Sequence, residues 1–211
     1  MVLSATLKHL SRHCNKRGGN KVDYTILVNK ENLLSADYVP EKLIEIHEPT
    51  GLKLDKTYVN RLNIVAYNAF KQMQKDALKS GFEIFIDSSY RTYEYQEKIF
   101  NHIAKEKGFE HAKNFVAPPG GSEHQTGLAI DIIFKRNNKM IEEQNENDPE
   151  IKWLFSNAHK YGFILRYPKG KEKVTGFEFE PWHFRYVGKK LAQEIFYSSL
   201  TLEEYYNTLK I

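Results

Sequence analysis

Gly121-Ser122-Glu123-His124-Gln125-Thr126-Gly127-Leu128-Ala129-Ile130-Asp131-Ile132-Ile133-Phe134 is the stretch from which the rest of the chain is read. Its second half, Leu128 to Phe134, has the apolar, β-branched composition of a buried strand. Asp131 interrupts that run, and a bare carboxylate buried there costs several kcal/mol unless it is paired or bound to a metal. His124 stands seven residues earlier, ahead of Gly127, which lets the loop turn sharply. A loop histidine and a strand aspartate so spaced can converge on one ion, and zinc accepts mixed nitrogen and oxygen ligands. Taken alone, the pair also describes a buried salt bridge.

On the N-terminal side, Tyr24-Thr25-Ile26-Leu27-Val28 looks like a strand, and Pro40, Pro49 and Gly51 punctuate the residues after it. From Val59 to Lys79, Leu62, Val65, Ala66, Ala69, Met73 and Ala77 recur at three- and four-residue steps, which predicts a helix stopped at Gly81. Phe82 to Asp87 alternates as a strand, Tyr93 to Lys105 reads as a second helix, and Pro118-Pro119-Gly120-Gly121 as a loop.

On the C-terminal side, Asp148-Pro149 opens a helix expected to run to Tyr161 and stop at Gly162, since proline at the first helical position loses no hydrogen bond. Phe163-Ile164-Leu165 and Phe184-Arg185-Tyr186-Val187 read as strands, and Thr201 with Glu204 forms a capping box for a last short helix. Helices and strands intersperse without regular βαβ alternation. The expectation is therefore an α+β fold: one small domain, residues 23–211, with a mainly antiparallel sheet flanked by helices.

With 211 residues the chain can bury a core without disulfides, and its single cysteine, Cys14, forbids an internal one. The net charge of +4 is spread along the chain, with neither a basic stripe nor a nucleic-acid module, so no nucleic-acid partner is expected. No run approaches the roughly 18 apolar residues of a membrane span. Residues 1–22 carry Lys8, Arg12, Lys16, Arg17 and Lys21 without an acid and lack the continuous apolar core of a secretory signal, so they read first as a mobile basic tail, with a targeting presequence or a short surface helix as the alternatives. As a whole gene product the protein is expected in the cytoplasm; with a leader removed, in the cell envelope.

Two further segments bear chemistry. In Glu180-Pro181-Trp182-His183, a turn would bring the glutamate and the histidine to one site. His183 would complete three protein ligands, the layout of catalytic zinc with one open position. Glu180 could then take a proton from water and return it to a leaving amine; by spacing alone it is equally an exposed carboxylate at a turn. Ser89-Tyr90-Arg91-Thr92-Tyr93-Glu94-Tyr95-Gln96 places Arg91 on a loop and Gln96 in the next helix. An arginine fork suits a peptide carboxylate or a developing oxyanion, although an ordinary surface arginine fits as well.

Together the three segments closely resemble the zinc D,D-carboxypeptidases of the VanY and VanXY type, in the wider class of D-Ala-D-Ala peptidases (peptidase family M15). Their patterns S-x-Y-R-x-x-x-x-Q, S-x-H-x-x-G-x-A-x-D and E-x-W-H followed by R-Y-V-G stand here in order and unbroken. The likeness extends to Tyr161 through Pro168 and to Thr201 through Tyr205, and covers about residues 24–210. It implies one zinc ion on His124, Asp131 and His183, with Glu180 as catalytic base. It further implies Arg91 on the scissile carbonyl or the tetrahedral intermediate, Ser122 and Gln96 against the substrate's terminal residue, and the α+β fold shared with hedgehog-type domains.

The implied substrates are peptidoglycan stem peptides or D-Ala-D-Ala, the terminus that glycopeptide antibiotics bind. An L,D-carboxypeptidase, an endolysin-type peptidase and a non-catalytic zinc module are the alternatives, and Glu180 speaks against the last. The polar segment Lys135 to Asn147 is expected as a mobile rim. His9, His13, His47, His102, His111 and His159 are expected to be surface or satisfied histidines, and Cys14 to be unreactive. Glu178 could share a strand face with Glu180 and tune it.

Overall fold

A computed structural model describes residues 22–47 and 58–209. Pro49, Gly51, His9, His13, Cys14 and nearly all of the basic N-terminal segment lie outside them. The chain runs β1 (Leu43–Glu45), β2 (Arg61–Asn63), α1 (Ile64–Lys79), β3 (Glu83–Ser88), α2 (Tyr93–Lys107), α3 (Phe109–Phe115) and a 3-10 turn (Glu123–Thr126). It continues through β4 (Ala129–Arg136), β5 (Lys139–Ile141), α4 (Pro149–Asn157), a second 3-10 turn (Ala158–Tyr161) and β6 (Phe163–Leu165). The last elements are α5 (Glu172–Thr175), β7 (His183–Tyr186), α6 (Lys189–Ser198) and α7 (Leu202–Thr208).

Among the described residues every strand pairing is antiparallel. The main sheet has the order β3-β4-β7-β6, and β5 turns back on the far half of β4. Strand alternation gives this sheet two different faces. Ile130, Ile132 and Phe134 of β4 and Phe184 and Tyr186 of β7 join Ala66, Phe70, Met73 and Ala77 of α1 and Ile151 and Leu154 of α4 in the main core. Asp131, His183 and Arg185 occupy the alternate positions and face the other way. A second cluster, with Ile164 and Val187 against Leu191, Ala192, Ile195 and Leu202, seats α6 and α7.

Several elements differ from expectation. Tyr24 to Val28 forms no strand: Tyr24 and Thr25 lie in a turn, and the carbonyls of Tyr24 and Ile26 accept hydrogen bonds from Arg185 Nη2 instead of a ladder. Helix α1 starts at Ile64 rather than Val59, because Asn63 accepts the Val65 N–H as a cap and the residues before it pair with β1. The helix after Pro149 ends at Asn157 and tightens into the 3-10 turn, stopped at Gly162 with φ 93°. A Cβ at Gly162 would sit 2.8 Å from the Tyr186 ring. Of Lys135 to Asn147, the first part is a hairpin of β4 and β5 turned at Asn137-Asn138 and the rest, from residue 142, is irregular; none of it lines the cleft that holds His124, Asp131 and His183. Among the described residues no helix is long and apolar enough to cross a membrane.

Candidate metal centre and cleft

The chemistry-facing side of the sheet opens into a cleft of about 180 Å³ lined by Arg91, Gln96, Ser122, His124, Asp131, Glu180 and His183, among others. Asp131 and His183 are register partners on β4 and β7, which puts both side chains on one face. His124 arrives from the 3-10 turn, whose exit needs Gly127: its φ is +65°, and a Cβ there would lie 2.7 Å from Leu43 Cδ2. Glu180 comes from an irregular segment and turns back so that its carbonyl accepts the His183 N–H.

One ligand atom from each of His124, Asp131 and His183 lies within 4.8 Å of the others. His124 Nδ1 is 2.7 Å from the Ser89 carbonyl and must donate to it, so the Nε2 lone pair points inward, 3.3 Å from Asp131 Oδ2. Burial, with Arg91 adding to it, lowers the His124 pKa to about 4, so the ring is neutral and two acceptors face each other. A cation between them relieves that conflict, and the His-Asp-His donor set suits zinc. His183 Nδ1 is 2.9 Å from Asp131 Oδ1 and 3.8 Å from Glu180 Oε2, so this nitrogen turns toward the same point.

The charges around the cluster are strongly perturbed. Burial opposes a charge on His183, but Asp131 and Glu123 outweigh it and push its pKa up to about 9. Burial works against ionised Asp131 too, yet the hydrogen bond from His183 and the charge of Arg91 help hold it well below the usual carboxylate range. Burial raises Glu180 to about 7, against the pull of His183. A carboxyl tuned to that range, next to a metal-type cluster, has the properties of a general base.

Arg91 donates from Nη2 to Asp131 Oδ2 at 2.7 Å and from Nη1 to Gln96 Oε1 at 3.4 Å, and Ser88 Oγ accepts from its Nε and Nη2. Gln96 also donates to the Ala117 carbonyl at 2.8 Å, so it orders Arg91 and the loop after α3 together. Ser122 is buried in the cleft lining. All seven site residues named from the sequence therefore meet in one place.

Glu178, by contrast, is exposed and lies on no strand, so the expected shared face with Glu180 does not exist. His159 departs from expectation as well: it is buried, stacked on Phe196 at 3.7 Å, and its Nδ1 has no hydrogen-bond partner. Sequence reasoning missed Glu123, whose buried carboxylate accepts from Arg166 Nε and Arg185 Nη1, both at 2.8 Å. It also missed Tyr167, stacked on His183 at 4.9 Å. A charged residue beside a candidate ligand, and two arginines in strand-like apolar surroundings, were the available signals.

A family model described as "VanY: D-alanyl-D-alanine carboxypeptidase" matches residues 59–189. The bifunctional D-Ala-D-Ala dipeptidase and D-Ala-D-Ala carboxypeptidase VanXYC of Enterococcus gallinarum is 40% identical over 66% of this chain and 75% of its own length. Among solved structures, the LdcB LD-carboxypeptidase is 43% identical, with a TM-score of 0.76 over 86% of this chain and 84% of that one. A glutamate-to-alanine mutant of the vancomycin-resistance D,D-pentapeptidase VanY from a VanB-type resistance cassette, in complex with Zn(II), is 33% identical, with a TM-score of 0.71 over 86% of this chain and 98% of that one.

Proposed function

Because the chain belongs to the VanY family of D-alanyl-D-alanine carboxypeptidases, we propose that it removes the terminal D-alanine from peptidoglycan stem peptides, using one zinc ion on His124, Asp131 and His183. The observation that carries this reading is the convergence of Glu180, its pKa pushed up to about 7, on the same point as the three ligand atoms. Zinc bound there would polarise the scissile carbonyl and acidify a water.

The chain's own residues supply the rest. Glu180 takes the proton of the attacking water and delivers it to the amine of the departing D-alanine. Arg91, held by Ser88 and Gln96, offers its guanidinium to the carbonyl oxygen as charge develops there. Ser122 and Gln96 meet the terminal residue of the peptide.

An L,D-carboxypeptidase is the second reading, favoured by the likeness to LdcB. Both are tested by D-alanine release from a pentapeptide stem ending in D-Ala-D-Ala, a tetrapeptide stem and the free dipeptide, each with and without chelator. Chelator-sensitive release from the pentapeptide supports the D,D reading, and cleavage of the free dipeptide would add dipeptidase activity. Release from the tetrapeptide alone replaces it with the L,D reading, and zinc uptake without release from any of the three overturns both.

A further inference from the structure

Glu123 and His183 hold two buried polar atoms without a hydrogen-bond partner, Oε2 and Nε2, and these face each other at 3.7 Å. That distance is an ion-pair contact, too long for a formed hydrogen bond. Such groups are costly to leave unpaired, so a mutual unmet need is informative. The glutamate side chain is 0% exposed. Its other oxygen is gripped by Arg166 and Arg185, both fully buried. Arg166 is anchored by a bidentate pair with Glu203, at 2.9 and 2.6 Å, and Arg185 by the carbonyls of Tyr24 and Ile26. The carboxylate therefore cannot swing away.

We propose that Glu123 is the positioning residue of His183: Oε2 accepts the Nε2–H, which commits Nδ1 to the metal. This inference rests on the reading of the centre as a zinc site. A neutral imidazole carries one proton, and without Glu123 that proton belongs on Nδ1, where Asp131 Oδ1 lies at 2.9 Å and would take it as a hydrogen bond. Nδ1 would then have no lone pair to give. The two ligand histidines are thus fixed by different partners, His124 by the neutral Ser89 carbonyl and His183 by an anion. A carboxylate behind a ligand imidazole makes it the stronger donor.

Glutamine at position 123 reverses the contact. Its single carbonyl oxygen is claimed by Arg166 and Arg185, which turns the NH₂ group toward Nε2–H. Glu123→Gln is expected to weaken zinc binding by roughly 10–100-fold, the usual effect of losing such a partner. Arg136→Gln breaks a different ion-pair network, with Asp148 and Glu150, that has no member in the cleft; it should lower thermal stability and leave zinc affinity unchanged. Independently of any variant, long-range ¹H–¹⁵N correlation of the zinc-loaded, histidine-labelled protein should find His183 protonated at Nε2 and His124 at Nδ1. A proton on His183 Nδ1, or wild-type affinity in Glu123→Gln, overturns the inference and leaves the zinc reading standing. Failure of the wild type to take up zinc overturns both. Should Glu123→Gln not fold, the wild-type spectrum decides.

Discussion

Asp131 and His183 sit directly opposite each other in the antiparallel β4–β7 pair, with Oδ1 and Nδ1 2.9 Å apart. Two of the three candidate ligands are therefore spaced by a backbone ladder rather than by loops. Their strand neighbours Ile130, Ile132 and Phe184 lock the opposite face of the sheet into the core. Rigid support of this kind holds a site within the fractions of an ångström that catalysis needs.

Glu180 lies 3.8 Å from His183 Nδ1 but is not needed to complete the ligand set. Glu180→Gln should keep one zinc per chain by metal analysis and lower D-alanine release by roughly 10²–10⁴-fold, the span of a lost general base. Turnover near wild type would end the assignment of Glu180 as base.

Arg91 donates to Asp131 Oδ2 and is braced by Ser88 and Gln96. Lysine keeps the charge but loses the fork. Arg91→Lys is expected to lower kcat by about 10²-fold, with zinc still bound, if the arginine stabilises charge in the transition state. A rise in KM alone at unchanged kcat would instead assign it to ground-state substrate binding.

Zinc uptake should release a proton. In the metal-free protein His183 has a pKa raised to about 9, so its ring is protonated at neutral pH and the metal must displace that proton. Apparent zinc affinity should climb by about tenfold per pH unit and flatten near pH 9. The same raised pKa stabilises the metal-free fold below the unfolded histidine value, and that contribution fades as pH rises through about 9. Calorimetry in two buffers of different ionisation enthalpy measures the proton directly, and a pH-independent affinity would refute the linkage.

The candidate site was legible only through its linked motifs. Alone, His124 with Asp131 also describes a salt bridge and Glu180 an exposed turn carboxylate; the three patterns standing in order, and their resemblance to the VanY-type peptidases, singled out His124, Asp131, Glu180 and His183. The segment from Tyr24 to Val28 misled because its β-forming residues are satisfied by Arg185, a partner far away in the chain. Strand β2 was absorbed into the helix pattern because Leu62 happens to fit a helical step with Val65 and Ala66, whereas the true boundary is set by the Asn63 cap. Glu123 was passed over because its role depends on two arginines at positions 166 and 185, whose approach no local pattern encodes.

The capping box of α7 was legible at once, and it is present: Thr201 Oγ1 accepts the Glu204 N–H at 3.2 Å, and Glu204 Oε2 accepts the Thr201 N–H at 2.8 Å. Lys171 adds an ion pair to Glu204 at 2.8 Å. The cap matters beyond its own helix, because Glu203 in the same first turn is the residue that anchors Arg166 behind the site. Thr201→Ala removes one of two reciprocal bonds and should cost about 1 kcal/mol. For a chain of this size that is a fall in Tm of about 2–4 °C. Because the Arg166–Glu203 pair is bidentate and buried, it should hold the first turn in place, so kcat and zinc content should stay at wild-type values while Tm falls. A matching loss of zinc would mean that the helix cap, and not the buried ion pairs, sets the position of Glu123.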